Sequence, residues 1–290
     1  RHIVPSAVEH PAVTEVCRFL EGEGFRVSRL PVDGSGLVDP AAVERALTSG
    51  TVLVTVMHAN NEVGTVEPIA DICRVAHARG VRVHSDGAQS AGKIPVRVDE
   101  LGVDLFSIAG HKLYAPKGIG ALYIRGGTGL TKLLHGADHE QDRRAGTENV
   151  LEIVGLGAAA GIAARGLEQH AAHMHAMRDR LRRALQSGVD ELVVHGAPEA
   201  CLPNTLSVSF PGLEANAVLE AMEHVAASAG AACHSGGVEI SGVLSAMGVA
   251  ERIAMGTIRF SVGRGTTSEE IDRAAEEIVR AVSTVRAARS

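Results

Sequence analysis

Acidic, amide and basic side chains follow three consecutive apolar stretches of this sequence. They are Asn60 and Asn61, Asp86 and Gln89, and His111 and Lys112. An aspartate and a lysine at such positions can form an acid–base pair, and a lysine can also attack a carbonyl carbon to form a Schiff base. A lone lysine is more often a solvated surface residue, and Asp86, which precedes Gly87, could equally be a turn residue. Three such clusters in succession favour a chemical site over a purely structural explanation.

Buried strands must position these clusters. The stretches are Thr51 to Gly64, Val81 to Lys93 and Asp104 to Lys112, and each contains a β-branched or apolar run that is followed by polar residues. The first two are joined by a helix-like segment, Pro68 to Arg79, with Gly80 as its C-cap. The spacing of the last two suits a crossover connection, not a hairpin. Since ligands bind outside the carboxyl ends of strands in open α/β sheets, the pattern predicts a site at one sheet edge.

The remaining sequence predicts further elements in two parts. An apparently irregular stretch, Gly126 to Asn149, separates the strands from two predicted helices, Val150 to Ala164 and a charged one ending near Ser187. The terminal helix, Ser268 to Arg286, is amphipathic, with Ser268 as the expected cap. We place a domain boundary near residue 165, with a large domain at 1–165 and a small α+β domain at 166–290.

Composition excludes several classes of protein. The 290 residues carry a formal net charge of −6 and 2% aromatic residues, which argues against a nucleic-acid-binding surface. No uninterrupted apolar run approaches the roughly 18 residues that span a membrane. The four cysteines are scattered without a CxxC pair, which is typical of reduced thiols in the cytoplasm. The histidines at 170–175 match zinc-ligand spacings poorly and are expected to lie on a solvated helix face, so we expect no metal site there.

Several motifs, in order along nearly the whole chain, carry a family resemblance. They are SAVEHP, HANNEVG, HSDGAQSAGK, SIAGHKLYAPKGIGALY, RRAGTEN, SAGAACHSG and TIRFSVGR. Together they resemble the class V aminotransferases, which are fold-type I enzymes dependent on pyridoxal 5'-phosphate (PLP), and within them the cysteine desulfurase and selenocysteine lyase branch. The resemblance implies a large PLP-binding α/β domain, with a mostly parallel sheet between helices, and a smaller α+β C-terminal domain.

The resemblance also implies roles for cofactor-binding residues. Lys112 resembles the lysine that holds PLP covalently, and Asp86 the carboxylate that keeps the pyridine nitrogen protonated. Gln89 and Asn61 correspond to groups near the phenolic oxygen, and Asn61 also to one near the substrate carboxylate. His111 resembles a phosphate contact.

Further residues are assigned by the same resemblance. His10 would stack on the cofactor ring, although a histidine at a helix start can also be an ordinary surface residue. Thr147 resembles a phosphate contact that the second subunit of a homodimer supplies. Arg259 resembles the residue that binds the substrate carboxylate in a fork. Cys233 resembles the nucleophile that takes sulfur from L-cysteine, leaving a persulfide and L-alanine, although a cysteine among small residues is often a small buried hydrophobe.

Two departures from the family pattern leave alternatives open. The sequence begins at Arg1 without the glycine- and threonine-rich phosphate cradle that precedes the Glu-His motif, so its N-terminal portion is expected to be missing. Ala109 stands where many desulfurases have a hydroxyl group. A selenocysteine lyase or related PLP lyase, and a catalytically impaired fragment, are therefore alternatives to a cysteine desulfurase that hands sulfur to an acceptor protein, for example for iron–sulfur cluster assembly.

Overall fold

The first half of the chain forms a six-stranded sheet. The structure, a computed structural model, describes residues 1–234 and 237–289, and for 231–234 and 237–239 it describes the backbone only. The strands are β1 (His2–Pro5), β2 (Arg26–Val27), β3 (Thr51–Thr55), β4 (Arg82–Asp86), β5 (Leu105–Ala109) and β6 (Gly120–Ile124). Their order is β2-β1-β3-β4-β5-β6, and all neighbours are parallel except β5 and β6. The predicted mostly parallel α/β sheet is confirmed.

Helices connect these strands and cover a buried core. They are α1 (Pro11–Gly22), α2 (Pro40–Ala46), α3 (Ile69–His77) and α4 (Val98–Leu101). Both α1 and α2 begin with a proline, which suits the first helical position because its missing N–H would have no partner there. The core contains mainly aliphatic side chains of strands and helices, with Phe106 fully buried at its centre.

The second half begins with two helices of very different length. These are α5 (His139–Asp142) and α6 (Val150–Gly188). Helix α5 contains residues with positive φ, which agrees with the absence of periodicity in this stretch. One continuous helix of 39 residues replaces the two helices predicted from the sequence, because no proline interrupts it. Residue 165 lies inside this helix, and the boundary placed there stays a prediction.

A second, antiparallel sheet follows α6. Its strands are β7 (Val193–His195), β8 (Thr205–Ser209), β9 (Ser228–Ala229) and β12 (Thr257–Ser261), in the order β7-β8-β12-β9. Between β9 and β12 lies a hairpin of β10 (Ala231–His234) and β11 (Gly237–Ile240). The helices are α7 (Ala215–Glu220), α8 (Gly242–Ala246), α9 (Glu251–Ala254) and α10 (Ser268–Ala287). This sheet shares a hydrophobic core with α10 and the second half of α6.

The start of α10 differs by one residue from the prediction. Thr267, not Ser268, is the N-cap: its side chain accepts a hydrogen bond from the Glu270 N–H, and the Glu270 carboxylate accepts one from the Thr267 N–H. This reciprocal capping box satisfies two amides that have no partner within the helix.

Helix α6 leaves an apolar surface exposed. Val150, Leu151 and Val154 are 64%, 80% and 65% exposed, and we call these three residues the α6 apolar face. By length and composition alone, α6 could cross a membrane, but one such helix among the described residues is only weak evidence for a membrane span. Such a segment was not predicted from the sequence, because Glu152 and Arg165 interrupt the apolar residues.

Candidate active site

A cavity of about 470 Å³ lies at the carboxyl ends of β4 and β5. Seven of the residues singled out from the sequence line it: His10, Asn61, Asp86, Gln89, His111, Lys112 and Arg259. Because parallel strands end at the same sheet edge, residues far apart in the sequence meet there. The structure therefore brings together most of the predicted site, while the individual roles stay predictions.

Asp86 is held at the end of β4 by the turn that follows it. Its Oδ1 accepts a hydrogen bond of 2.8 Å from the Ala88 N–H, and the Gly87 N–H donates to the Ser107 carbonyl at 2.9 Å. A Cβ atom on Gly87 would lie 2.0 Å from the Phe106 ring, so only glycine fits. The close approach of the backbone to a buried ring thus fixes the direction in which Asp86 leaves the strand.

Two histidines, buried His58 and half-buried His84, connect the strand ends near the cavity. His84 hydrogen-bonds to Thr55 Oγ1 and Ser107 Oγ, both at 2.8 Å, and so links β3, β4 and β5. His58 hydrogen-bonds to Ser90 Oγ at 2.9 Å, and its ring meets the edge of Phe106. Burial lowers the pKa of His84 and lowers that of His58 to about 4, so both rings are neutral at neutral pH.

Lys112 lies in a 3-10 turn, Gly110–Leu113, directly after β5. It is exposed and lines the cavity. Nearby Lys93 donates a hydrogen bond of 2.8 Å to the Gln89 carbonyl. Burial, and then the positive charge of Lys112, lower the pKa of Lys93 to about 8. Lys93 was not predicted as a site residue, because its only signal in the sequence is its place at the end of the HSDGAQSAGK motif.

Arg259 projects from β12 into the cavity and joins the two halves of the chain. It donates hydrogen bonds to the Asn61 carbonyl at 2.7 Å and to Ser228 Oγ at 2.8 Å. Its Nε is buried and has no hydrogen-bond partner among the described residues. A buried unpaired donor is costly, so a carboxylate that binds here would gain a charge-assisted hydrogen bond.

His10 and Glu9 lie directly before α1, and His10 lines the cavity. His10 is the N-cap of α1: its Nδ1 accepts a hydrogen bond of 3.1 Å from the Ala12 N–H while the ring faces the cavity. Glu9 is buried and accepts hydrogen bonds from Ser6 Oγ and the Met57 N–H. Burial, together with the negative charge of Asp86, raises the pKa of Glu9 to about 8. Glu9 was not predicted as a site residue, since a glutamate beside a helix start carries no sequence signal of burial.

Two predicted residues are not among those that line the cavity. Thr147 is exposed just before α6, and its assignment to a second subunit stays a prediction. The backbone of Cys233 pairs with Val238 in the hairpin, but its side chain lies outside what the structure describes. Within the described part of the chain, no cluster of three or more His, Cys, Asp or Glu side chains could hold a metal ion.

Comparison with known proteins identifies the family. The model of the family "Aminotransferase class-V" matches residues 1–274. The chain belongs to this family. Its relatives include the cysteine desulfurase IscS of Dictyoglomus turgidum, 42% identical over 99% of this chain and 73% of the relative. The cysteine desulfurase NifS of Azotobacter vinelandii is also 42% identical, over 98% of this chain and 71% of the relative.

A solved structure supports the same conclusion. A NifS-like protein superposes with a TM-score of 0.91 at 37% sequence identity, and the match covers 98% of this chain and 75% of that protein. The close superposition extends over both sheets, so the family assignment applies to the site and to the antiparallel half that supplies Arg259.

Proposed function

We propose that this chain is a PLP-dependent cysteine desulfurase that converts L-cysteine to L-alanine and passes the sulfur on. The observation that carries the proposal is the meeting of Asp86, Lys112 and Arg259 in one cavity. A carboxylate, an amine and a carboxylate-binding guanidinium are the groups that amino-acid chemistry on a pyridoxal cofactor needs. The relatives at 42% identity that are named cysteine desulfurases support this choice of reaction.

The donor set of the cavity fits PLP. Lys112 would bind the cofactor covalently, Asp86 would hold its pyridine nitrogen, and Gln89, His111 and His10 would contact its other groups. The unpaired Nε of Arg259 leaves a hydrogen-bond donor for the substrate carboxylate. When bound, the cofactor supplies an electron sink for the substrate α-carbon.

The protein's own residues then position the substrate and move protons. Arg259 binds the carboxylate of L-cysteine, and the Lys112 amine takes the proton from the α-carbon. Asp86, whose Oδ1 accepts a hydrogen bond from the Ala88 N–H, would hold the pyridine nitrogen of the cofactor. His58 and His84, whose pKa values are lowered by burial, add no positive charge near these groups.

Sulfur transfer is assigned to Cys233 on the sequence resemblance. The Cys233 thiolate attacks the sulfur of the substrate, so that an S–S bond forms as the Cβ–S bond breaks. The carbon that loses sulfur takes a proton, which gives alanine and leaves a persulfide on Cys233. Only a thiolate is nucleophilic enough for this step.

The absorbance spectrum after incubation with PLP tests the cofactor assignment. We expect a visible band that is lost in Lys112→Ala. Alanine release from cysteine then tests the reaction, and Cys233→Ala should abolish turnover while leaving the band intact. A band that persists in Lys112→Ala, or full turnover by Cys233→Ala, would refute the corresponding assignment.

Ala109 at the cavity wall supports a second candidate, a selenocysteine lyase. Its methyl group cannot donate the hydrogen bond that a hydroxyl at this position would give. Competition between cysteine and selenocysteine in the alanine-release assay separates the candidates: a desulfurase turns over cysteine at a comparable rate, and a lyase specific for selenium does not.

We also propose a homodimer that buries the α6 apolar face. Thr147 lies three residues before Val150, so a partner covering this face would bring its own Thr147 close to the interface. The stretch before the same helix contains two more exposed leucines, Leu133 and Leu134. Contiguous exposed apolar residues of this kind mark interaction surfaces.

Sedimentation measurements test the dimer. Leu151→Glu should yield monomers because it places a charge in the interface. Phe19→Glu replaces another exposed apolar side chain, on α1, and should leave the dimer intact. A monomeric wild-type protein, or a dimeric Leu151→Glu variant, would contradict the assignment.

Sulfur delivery and location are part of the same proposal. A persulfide must pass its sulfur to an acceptor protein, and we propose a cytoplasmic setting in which thiols stay reduced. The three cysteines whose side chains are described, Cys17, Cys73 and Cys201, are free thiols. Labelled sulfur transfer from the loaded enzyme to a candidate acceptor measures this delivery directly.

A further inference from the structure

Glu62 lies between the cavity and the base of the β10–β11 hairpin. It directly follows Asn61, and its own N–H donates to the Asn60 side chain at 2.8 Å, which fixes the local turn. Its carboxylate accepts a hydrogen bond from Ser241 Oγ, a residue 179 positions later in the chain. Glu62 therefore connects the loop that follows β3 to the segment that carries the hairpin.

Ser241 closes the base of this hairpin. Its N–H donates to the Gly230 carbonyl at 2.9 Å, and the Gly230 N–H donates to the Thr257 carbonyl at 2.7 Å. These residues flank the hairpin, since β10 begins at residue 231 and β11 ends at residue 240. A Cβ atom on Gly230 would lie 2.9 Å from Thr257 Cβ, so the backbone packs tightly at this point. The base is thus fixed to β12 on one side and to Glu62 on the other.

The Asn61–Glu62 segment is also hydrogen-bonded to Arg259, the candidate carboxylate-binding residue. Arg259 donates to the carbonyl of Asn61, the residue before Glu62, and to Ser228 on the strand that leads into the hairpin. Burial raises the pKa of Glu62, while the Ser241 hydrogen bond and the positive charges of Arg259 and His10 lower it. The Glu62 carboxylate therefore hydrogen-bonds to Ser241 at the hairpin base. It also interacts electrostatically with Arg259 and His10, which line the cavity.

We propose that Glu62 is a positioning residue for the sulfur-transfer step. Its hydrogen bond to Ser241 anchors the base of the β10–β11 hairpin, which carries Cys233, to the Asn61–Glu62 segment. Because Arg259 is hydrogen-bonded to the same segment, one segment positions both the substrate-binding residue and the nucleophile. This inference rests on the proposed desulfurase function for its catalytic consequence. The anchor itself depends only on the described contacts of Glu62, Ser241 and Arg259.

Hydrogen exchange of the protein without PLP tests the anchor independently of activity. In Glu62→Ala, peptides covering residues 228–241 should exchange at least tenfold faster, because hydrogen bonds to charged groups contribute about that factor or more. Peptides covering β3 and β4 should be unchanged. Glu62→Gln keeps the volume and an acceptor oxygen and should show a smaller increase, which separates the anchor from general unfolding.

Glu67→Ala is the matched control. Glu67 is a buried glutamate, whereas Glu62 is half-buried, and it too accepts a hydrogen bond, from the Val38 N–H at 2.9 Å. Glu67 makes no contact with the hairpin among its described hydrogen bonds. Its loss should leave exchange at residues 228–241 unchanged. Equal exchange in Glu62→Ala and wild type, or equal effects of Glu62→Ala and Glu67→Ala, would overturn the anchor.

Kinetics of the PLP-loaded enzyme test the catalytic part. Cysteine should still change the visible band of Glu62→Ala, whereas alanine release should fall about tenfold or more. Ser241→Ala should lower alanine release at least as much, since it also removes the α8 cap that this hydroxyl forms with the Val243 and Leu244 N–H groups. The double variant should be no worse than Ser241→Ala, because both changes remove the same Glu62–Ser241 bond. Additive losses, or an equal loss of cysteine binding, would overturn the positioning role. If wild type itself released no alanine, the proposed function would fail while the exchange result still decided the anchor.

Discussion

Replacing Gly87 by alanine tests the packing that directs Asp86 into the cavity. The new Cβ would lie 2.0 Å from two atoms of the Phe106 ring, and ordinary contact begins at 3.4 Å. The ring would have to move by about 1.4 Å, the difference between these distances. Phe106 is 0% exposed, so it has no free space to enter.

The expected cost follows from these distances. Overpacking a well-packed core costs about 1–3 kcal/mol, and we expect the upper part of that range because the clash is with a rigid ring. The loss of unfolded-state entropy from Gly→Ala offsets about 0.4–1 kcal/mol. A net loss of about 2 kcal/mol corresponds to a Tm decrease of about 4 °C or more in a protein of this size class.

Thermal unfolding followed by circular dichroism measures this loss. Gly22→Ala is the control, because nothing lies within 4 Å of its Cβ position, and its Tm should not fall. Combining Gly87→Ala with Phe106→Leu should cost less than the sum of the single changes, since the leucine gives the methyl group room. PLP affinity should fall in Gly87→Ala, because Asp86 moves with the turn. A Tm within about 1 °C of wild type would refute the described packing.

Three further predictions concern separate parts of the molecule. Arg259→Gln should raise KM for cysteine about tenfold or more while the PLP band is retained, because a charge-assisted hydrogen bond to the carboxylate is lost; an equal loss of PLP binding would contradict this. The folded-state pKa of Glu9, about 8, lies above its ordinary value of 4.5, so its contribution to stability is present below pH 4.5 and is lost as the pH rises through 8. The Tm of Glu9→Gln should therefore increase relative to that of wild type between pH 5 and pH 8. If the two proteins gave parallel curves of Tm against pH, the raised pKa of Glu9 would be disproved. Thr267→Ala should cost about 1 kcal/mol through loss of the α10 cap, whereas Ser268→Ala should cost little; the reverse order in urea unfolding would make Ser268 the cap.

The sequence was sufficient to predict where the site lies. Strands that end in polar residues predict a shared edge, because the rule about parallel strands does not depend on side-chain detail. Asp86, Lys112 and Asn61 could be placed in one cavity for this reason. Arg259 could be placed there only through the family resemblance, because it comes from the other sheet.

The missed features depend on contacts that leave no local pattern. Glu62 and Ser241 are 179 residues apart, and no residue next to either of them in the sequence indicates that the two side chains meet. The proximity of Lys93 to Lys112 likewise results from how two turns pack. The continuity of α6 was missed because the change from apolar to charged residues resembles a boundary, although a change in composition does not by itself end a helix.

Helix α6 also determines how the chain could be divided. At 1.5 Å per residue its 39 residues extend about 58 Å. Ala159 packs with Ala91 and Leu113 beside the first sheet, whereas Leu181 and Leu185 lie in the core of the second. The helix is thus a shared part of both cores, and a cut inside it would deprive one half of its own packing surface. For reassembly from two fragments, the irregular, largely exposed stretch at residues 126–149 is the better cleavage point, since the C-terminal fragment would then keep the whole helix.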